Sequence, residues 1–307
     1  MLSISISQHG IRKIEVTFVP VDSVGVVSSA DVISAIRPGQ TVLVTLMLAN
    51  NESGALQPVA KVGARCRELQ VLFHTDAAQA VGKVPVDLRG ALGEADMVTI
   101  VGHKFGAPKG IAALYVRPGC LDECGRREPG LYWRSGSLLL GGGQEEGRRS
   151  GTPNVPHIVG LGRAAELLTA DDKWRDNAAH MERMRNRLLI GLTKRLSDLG
   201  PDIVRPNGPT DPTERLPNTL SVGLKGVKSD ELLSAIGLKV AASAGSACNS
   251  HMAGLAMSPV LSAMGVPTDY ATGTLRLSVG PSTTDEEVEH AVQVIAEEAR
   301  RQITSVS

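Results

Sequence analysis

Residues 41–48 read TVLVTLML, an apolar run with only Thr41 and Thr45 as polar members. A strand with water on one face alternates apolar and polar residues. A near-continuous run is the pattern of a strand covered on both faces. Around it, short apolar runs alternate with helical patterns. Residues 14–20 (IEVTFVP), 71–74, 97–101 and 111–116 read as further strands. Residues 29–36, ending before Pro38, and 58–68 read as helices. That alternation predicts an α/β fold with a mainly parallel, helix-covered sheet.

Residues 118–143, with Tyr132, Trp133 and a Gly141-Gly142-Gly143 run, break the rhythm and read as irregular. Residues 157–168 look helical. Met181, Met184, Leu188, Leu192, Leu196 and Leu199 then mark one face of a long amphipathic helix. The Pro-rich stretch 201–217 reads as a loop. Residues 219–222, 240–244 and 274–279 read as strands. Thr284 and Glu287 form a capping box for a last helix, whose inner face is Val288, Val292, Ile295 and Ala299. The pattern predicts a large domain over 1–169 and a smaller α+β C-terminal domain over 170–307.

The 307 residues carry 32 basic and 32 acidic side chains, a net charge of zero, which speaks against nucleic acid or a membrane surface as partner. Only three Phe, three Tyr and two Trp are present, so the core must be aliphatic. Four cysteines (Cys66, Cys120, Cys124, Cys248) are too few for a disulfide framework. Cys120 and Cys124 have no second pair or histidine cluster nearby, so no metal site is expected. Residues 1–10 (MLSISISQHG) lack a signal-peptide pattern, and no run reaches the roughly 18 apolar residues of a membrane span. The expectation is a soluble, cytoplasmic protein.

Three local features carry chemistry. Asp76, in His74-Thr75-Asp76-Ala77-Ala78-Gln79, lies at a strand end, where open α/β sheets bind ligands, although such an Asp also serves as a turn former or helix cap. Lys104, in Val101-Gly102-His103-Lys104, leaves another apolar strand. It is either a desolvated nucleophile or a solvated exit from the sheet. Cys248, in Ser246-Ala247-Cys248, is either an accessible thiol or a buried inert one. Asp76 and Lys104 are one strand–helix–strand unit apart, which places a carboxylate and an amine on neighbouring loops. That pair is what pyridoxal phosphate (PLP) requires: a carboxylate for its ring nitrogen and a lysine for its carbonyl carbon.

HTDAAQAVGK, TIVGHKFGAPKG, LANNESG, GGGQE, RRSGTPN, SAGSACNS and LRLSVGPSTT follow one another in this order. Together they resemble the class V aminotransferases of the cysteine desulfurase type, with features closest to selenocysteine lyases, from about Ile14 to about Ala299. The resemblance implies a PLP-dependent transferase of fold type I. It implies Lys104 as the Schiff-base lysine, Asp76 as partner of the ring nitrogen, and Ala78 as the small residue on the ring face. Gln79 and Asn51 would contact the ring hydroxyl, and His103 and Thr152 the phosphate, Thr152 from the neighbouring subunit of a homodimer. Arg276 would hold the substrate carboxylate, and Cys248 would act on the substrate sulfur or selenium. The implied reaction turns L-selenocysteine, or alternatively L-cysteine, into L-alanine, with a selenium or sulfur acceptor protein as a possible further partner.

Val101 stands where many desulfurases carry a hydroxyl residue, and Gly106-Ala107-Pro108 replaces the usual aromatic-Gly-Pro. The family's phosphate-cradling Gly-Thr-Glu loop and ring-stacking histidine would fall at or before Met1. On the sequence alone the chain therefore reads as N-terminally incomplete, with weak cofactor binding expected and a catalytically incompetent homologue as the rival reading. An aminotransferase is disfavoured by the Cys248 loop.

Overall fold

The computed structural model describes residues 15–120, 139, 141–244 and 258–305. In chain order the elements are α1 (Ser29–Ser34), β1 (Leu43–Met47), α2 (Val59–Glu68), β2 (Leu72–Asp76), β3 (Met97–Val101) and β4 (Ala112–Val116). After these come α3 (Val155–Thr169), α4 (Lys173–Leu196), β5 (Val204–Asn207), β6 (Thr219–Leu224) and α5 (Ser229–Ile236). The last are α6 (Pro259–Ala263), α7 (Thr268–Ala271), β7 (Thr274–Ser278) and α8 (Asp285–Ser305).

One sheet has the order β1-β2-β3-β4. β1, β2 and β3 run parallel, and β4 returns antiparallel to β3. The sheet is thus mixed and mostly parallel, as an α/β fold requires. α2 covers one face closely. A Cβ on Gly63 of α2 would lie 2.9 Å from the Phe73 ring, so only glycine lets helix and strand approach this far. Phe73, Val98, Val59 and Val62 are buried in the resulting core. On the opposite face Leu43 is 43% exposed and Leu114 57% exposed. The expectation that residues 41–48 form a strand covered on both faces is therefore corrected: β1 buries only its Val44 and Leu46 side against this core.

The second sheet, β5-β6-β7, is antiparallel throughout. Every residue of β6 is buried. Leu220, Val222 and Leu275 pack with Leu188, Leu192 and Leu196 of α4 and Val292, Ile295 and Ala299 of α8 in a second core. The capping box is formed: Glu287 N–H donates to Thr284 Oγ1 (3.2 Å) and Thr284 N–H to Glu287 Oε2 (2.9 Å).

Other expectations need correction. Residues 15–20 are not a strand. They have no partner strand, and Val16 and Phe18 are about half exposed. Residues 240–244 contribute only an isolated bridge, Ser243 to Arg276. The Pro-rich stretch 201–217 contains β5, an edge strand, where Pro206 needs no outward ladder bond. The connection from Asp76 to β3 is a series of turns, not a helix. Residues 121–138, with Tyr132, Trp133 and Cys124, lie outside the described residues. Among those described, no helix is long and apolar enough to cross a membrane.

Candidate active site

Because β1, β2 and β3 are parallel, their carboxyl ends open onto the same edge of the sheet, the usual place for a ligand in such folds. The loop after β1 is tightly built. Asn50 Oδ1 accepts from Glu52 N–H and Ser53 N–H, both at 2.9 Å, and from the Ser53 hydroxyl at 3.2 Å. This turn presents the Asn51 carbonyl to Arg276 of β7, whose Nη1 donates to it at 3.1 Å. The Arg276 backbone is fixed by a bond to Ser243 O at 2.7 Å. The buried Glu52 carboxylate accepts from the Ser258 hydroxyl at 2.6 Å. One loop thus joins the end of β1 to two distant parts of the chain.

Asp76 is the last residue of β2 rather than lying beyond it. Its carbonyl accepts from Leu48 N–H (2.8 Å), and its Oδ1 accepts from Ala78 N–H (2.8 Å). Its carboxylate makes no ion pair among the described residues. His74, on the same face of β2, bridges three strands: Nδ1 lies 2.8 Å from Thr45 Oγ1, and Nε2 lies 2.9 Å from Thr99 Oγ1. Burial lowers its pKa, and the Asp76 charge opposes that shift. A neutral ring, donating from one nitrogen and accepting at the other, suits two hydroxyl partners.

His103 and Lys104 sit in a 3-10 turn, Gly102–Lys104, between β3 and β4. Phe105 N–H and Ala107 N–H both donate to Gly102 O, at 3.1 Å. The His103 and Lys104 side chains are exposed. The carbonyl of Lys104 accepts from Lys83 Nζ at 3.0 Å. Burial, and then the charge of Lys104, push the Lys83 pKa down to about 8.

The structure therefore gathers Asn51, Asp76, Ala78, Gln79, His103 and Lys104 on loops or strand ends at one sheet edge, and ties Arg276 to them through Asn51. Thr152 is exposed in the loop leading to α3. Cys248 lies outside the described residues. Among the described residues no cluster of metal-ligating side chains occurs.

The aminotransferase class-V family profile matches residues 7–291. The chain belongs to the class-V aminotransferase family, cysteine desulfurase type. It is 40% identical over 284 residues to cysteine desulfurase IscS of Methanosarcina thermophila, covering 92% of this chain and 63% of that protein. It is 37% identical over 282 residues to cysteine desulfurase IscS of Clostridium botulinum, covering 92% and 65%. It thus spans less than two thirds of the length of these relatives. A solved NifS-like protein superposes with a TM-score of 0.72 at 34% identity, over 95% of this chain and 68% of its own. The apo cysteine desulfurase of Thermococcus onnurineus, at 21% identity and a TM-score of 0.71, shares the fold, covering 93% and 66%. This family depends on PLP and has fold type I.

Sequence reasoning passed over three residues. His74 and Lys83 are the first and last letters of the HTDAAQAVGK motif, and Glu52 lies inside LANNESG. The signal in each case was a polar side chain whose strand or turn position makes it face neighbouring elements, which a linear motif does not display.

Proposed function

We propose that the chain acts as a PLP-dependent cysteine desulfurase, releasing L-alanine from L-cysteine and passing the sulfur to an acceptor. The observation that carries this reading is the Asp76 carboxylate, unpaired by any cation among the described residues, at the strand end beside the Lys104 turn. A half-buried carboxylate without a counter-ion fits a protonated ring nitrogen. Ala78 leaves room above a flat ring, and the exposed Lys104 amine is free to meet a carbonyl carbon.

Bound PLP would supply an electron sink that lets the substrate's Cα proton leave. Asp76 would keep the ring nitrogen protonated, while Gln79 and Asn51 would bond the ring hydroxyl. His103 would hold the phosphate, with Thr152 from the second subunit of a homodimer. Arg276 would grip the substrate carboxylate, a task suited to a planar two-pronged donor. Its tie to the Asn51 carbonyl fixes where that carboxylate would sit. Lys104 would carry the Cα proton. The Cys248 thiolate would attack the substrate sulfur: an S–S bond forms, the C–S bond breaks, and the carbon takes up a proton to leave alanine. The sulfur would remain on Cys248 as a persulfide for an acceptor protein.

The names of the relatives favour L-cysteine as substrate, where the sequence features favoured L-selenocysteine. A solved relative at 30% identity is described in complex with cysteine. Two separate cores, one under β1–β3 and one under β5–β7, support a division into a cofactor-bearing domain over 1–169 and a smaller one over 170–307. A cytoplasmic location is part of this proposal, supported by the low cysteine count, four in 307 residues.

Borohydride reduction of PLP-loaded protein, followed by peptide mapping, tests the reading. A tag on Lys104 is expected. A tag on Lys83 or Lys109 instead, or none, overturns it. Lys104→Ala should abolish alanine release while changing stability by no more than about 0.5 kcal/mol, because the side chain is exposed.

A further inference from the structure

We propose that Lys83 is a positioning residue for Lys104, clamping the Lys104 carbonyl and so fixing the turn from which the reactive amine projects. This rests on the reading of Lys104 given above. Lys83 lies in the first turns of the connection that follows Asp76, and its Nζ crosses to the loop after β3 to reach Lys104 O at 3.0 Å. It therefore ties together the two loops that carry the carboxylate and the amine.

The receiving turn is short. Gly102–Lys104 is a single 3-10 turn, held by two N–H groups that converge on Gly102 O and by Gly102 N–H on Ile111 O. Those bonds fix its start. The Lys83 ammonium fixes its last carbonyl with a charge-assisted bond, the stronger kind. The side chains of the two lysines are placed differently: Lys104 is exposed, whereas Lys83 is half-buried with its donor engaged. Burial depresses the Lys83 pKa to about 8, a cost consistent with an ammonium held for a specific partner.

The test uses the full chain, wild type, Lys83→Met (stem kept, donor lost) and Lys83→Arg (donor kept). Hydrogen exchange is read over residues 102–107 without cofactor, and borohydride incorporation at Lys104 with PLP. Lys83→Met should speed exchange in 102–107 at least tenfold while leaving 72–76 and 97–101 protected. It should also cut incorporation at Lys104 at least tenfold and lower kcat for cysteine with little change in KM. Lys83→Arg should recover most of each effect. Wild-type values for Lys83→Met overturn the proposal. So does faster exchange spread over the whole sheet in both variants, which would mark a merely structural lysine. Wild-type protein untagged at Lys104 removes the reading of Lys104 and this role with it, and is told apart because the exchange arm needs no cofactor.

Discussion

Asp96 and Asp76 stand at opposite ends of the same sheet, Asp96 just before β3 and Asp76 at the end of β2. Asp96 is 5% exposed and fully engaged. Its Oδ2 accepts from Phe73 N–H at 2.9 Å, while its Oδ1 accepts from Arg117 Nε at 2.7 Å and lies 3.5 Å from Arg67 Nη1. Asp76 is half-buried, and its side chain accepts one backbone N–H from its own loop. The amino end of the sheet has thus spent its carboxylate on holding strands together. The carboxyl end keeps one in reserve, which is how an open α/β sheet supports a ligand without giving up its frame.

The largest effect should come from the engaged end. Asp96→Ala leaves the Phe73 amide without its acceptor and takes a buried carboxylate from Arg117 and Arg67, and should cost ~2–3 kcal/mol in urea unfolding. A loss below about 1 kcal/mol would break the comparison. Cys66 of α2 lies near this end, and burial followed by the charge of Asp96 pushes its thiol up to about 11 from 9.0. Two units make the thiolate about a hundredfold rarer, so Cys66 should resist iodoacetamide in the folded chain and react readily in urea. Midway along β2, burial lowers the His74 pKa below its ordinary 6.5. The folded chain then binds fewer protons than the unfolded one in the window just below that value. Stability should be complete above pH ~6.5 and decline as the pH falls through the folded pKa. His74→Gln should flatten that acid limb in a series of thermal melts. The smallest change in stability should come from Asp76→Asn, within about 0.5 kcal/mol, because the amide still accepts from Ala78 N–H. The same variant should lose the red shift that the absorbance band of added PLP shows with the wild-type chain. A stable variant that retains the red shift would assign Asp76 to the frame and erase the contrast.

What could be read from the sequence depended on whether its cause was local. Met97–Val101 was legible because its apolar run is bounded by Asp96 and Gly102. α8 was legible because its cap and its inner face are both encoded within a few turns. Residues 15–20 and 240–244 have strand composition yet lack a neighbour to pair with, and pairing is a property of the fold. β5 was hidden behind Pro206, which reads as a loop until the strand is known to lie at an edge. The one-sided burial of β1 depends on which elements cover the sheet, which its own residues do not state. In the site, Asp76 and Lys104 stood out because each ends an apolar run. The Lys83 bond to Lys104, the Glu52 bond to Ser258 and the two threonines around His74 join residues far apart in the chain, so no motif displays them.

The antiparallel return of β4 onto β3 has a kinetic meaning. Val101 pairs with Ala112, so the turn bearing Lys104 is closed by a short hairpin loop. Arg276 reaches Asn51 across 225 residues of chain. Closing a loop costs about 0.6 kcal/mol more for each doubling of its length, and contacts between distant residues form late. Pulse-labelled exchange during refolding should therefore find residues 112–116 protected before the amides of Leu56 and Leu216, which tie the loop after β1 to a distant part of the chain through Glu214 O and Gly54 O. On the proposed reading, the Lys104 amine is presented early, and the Arg276 guanidinium reaches its place only when the last long loop has closed.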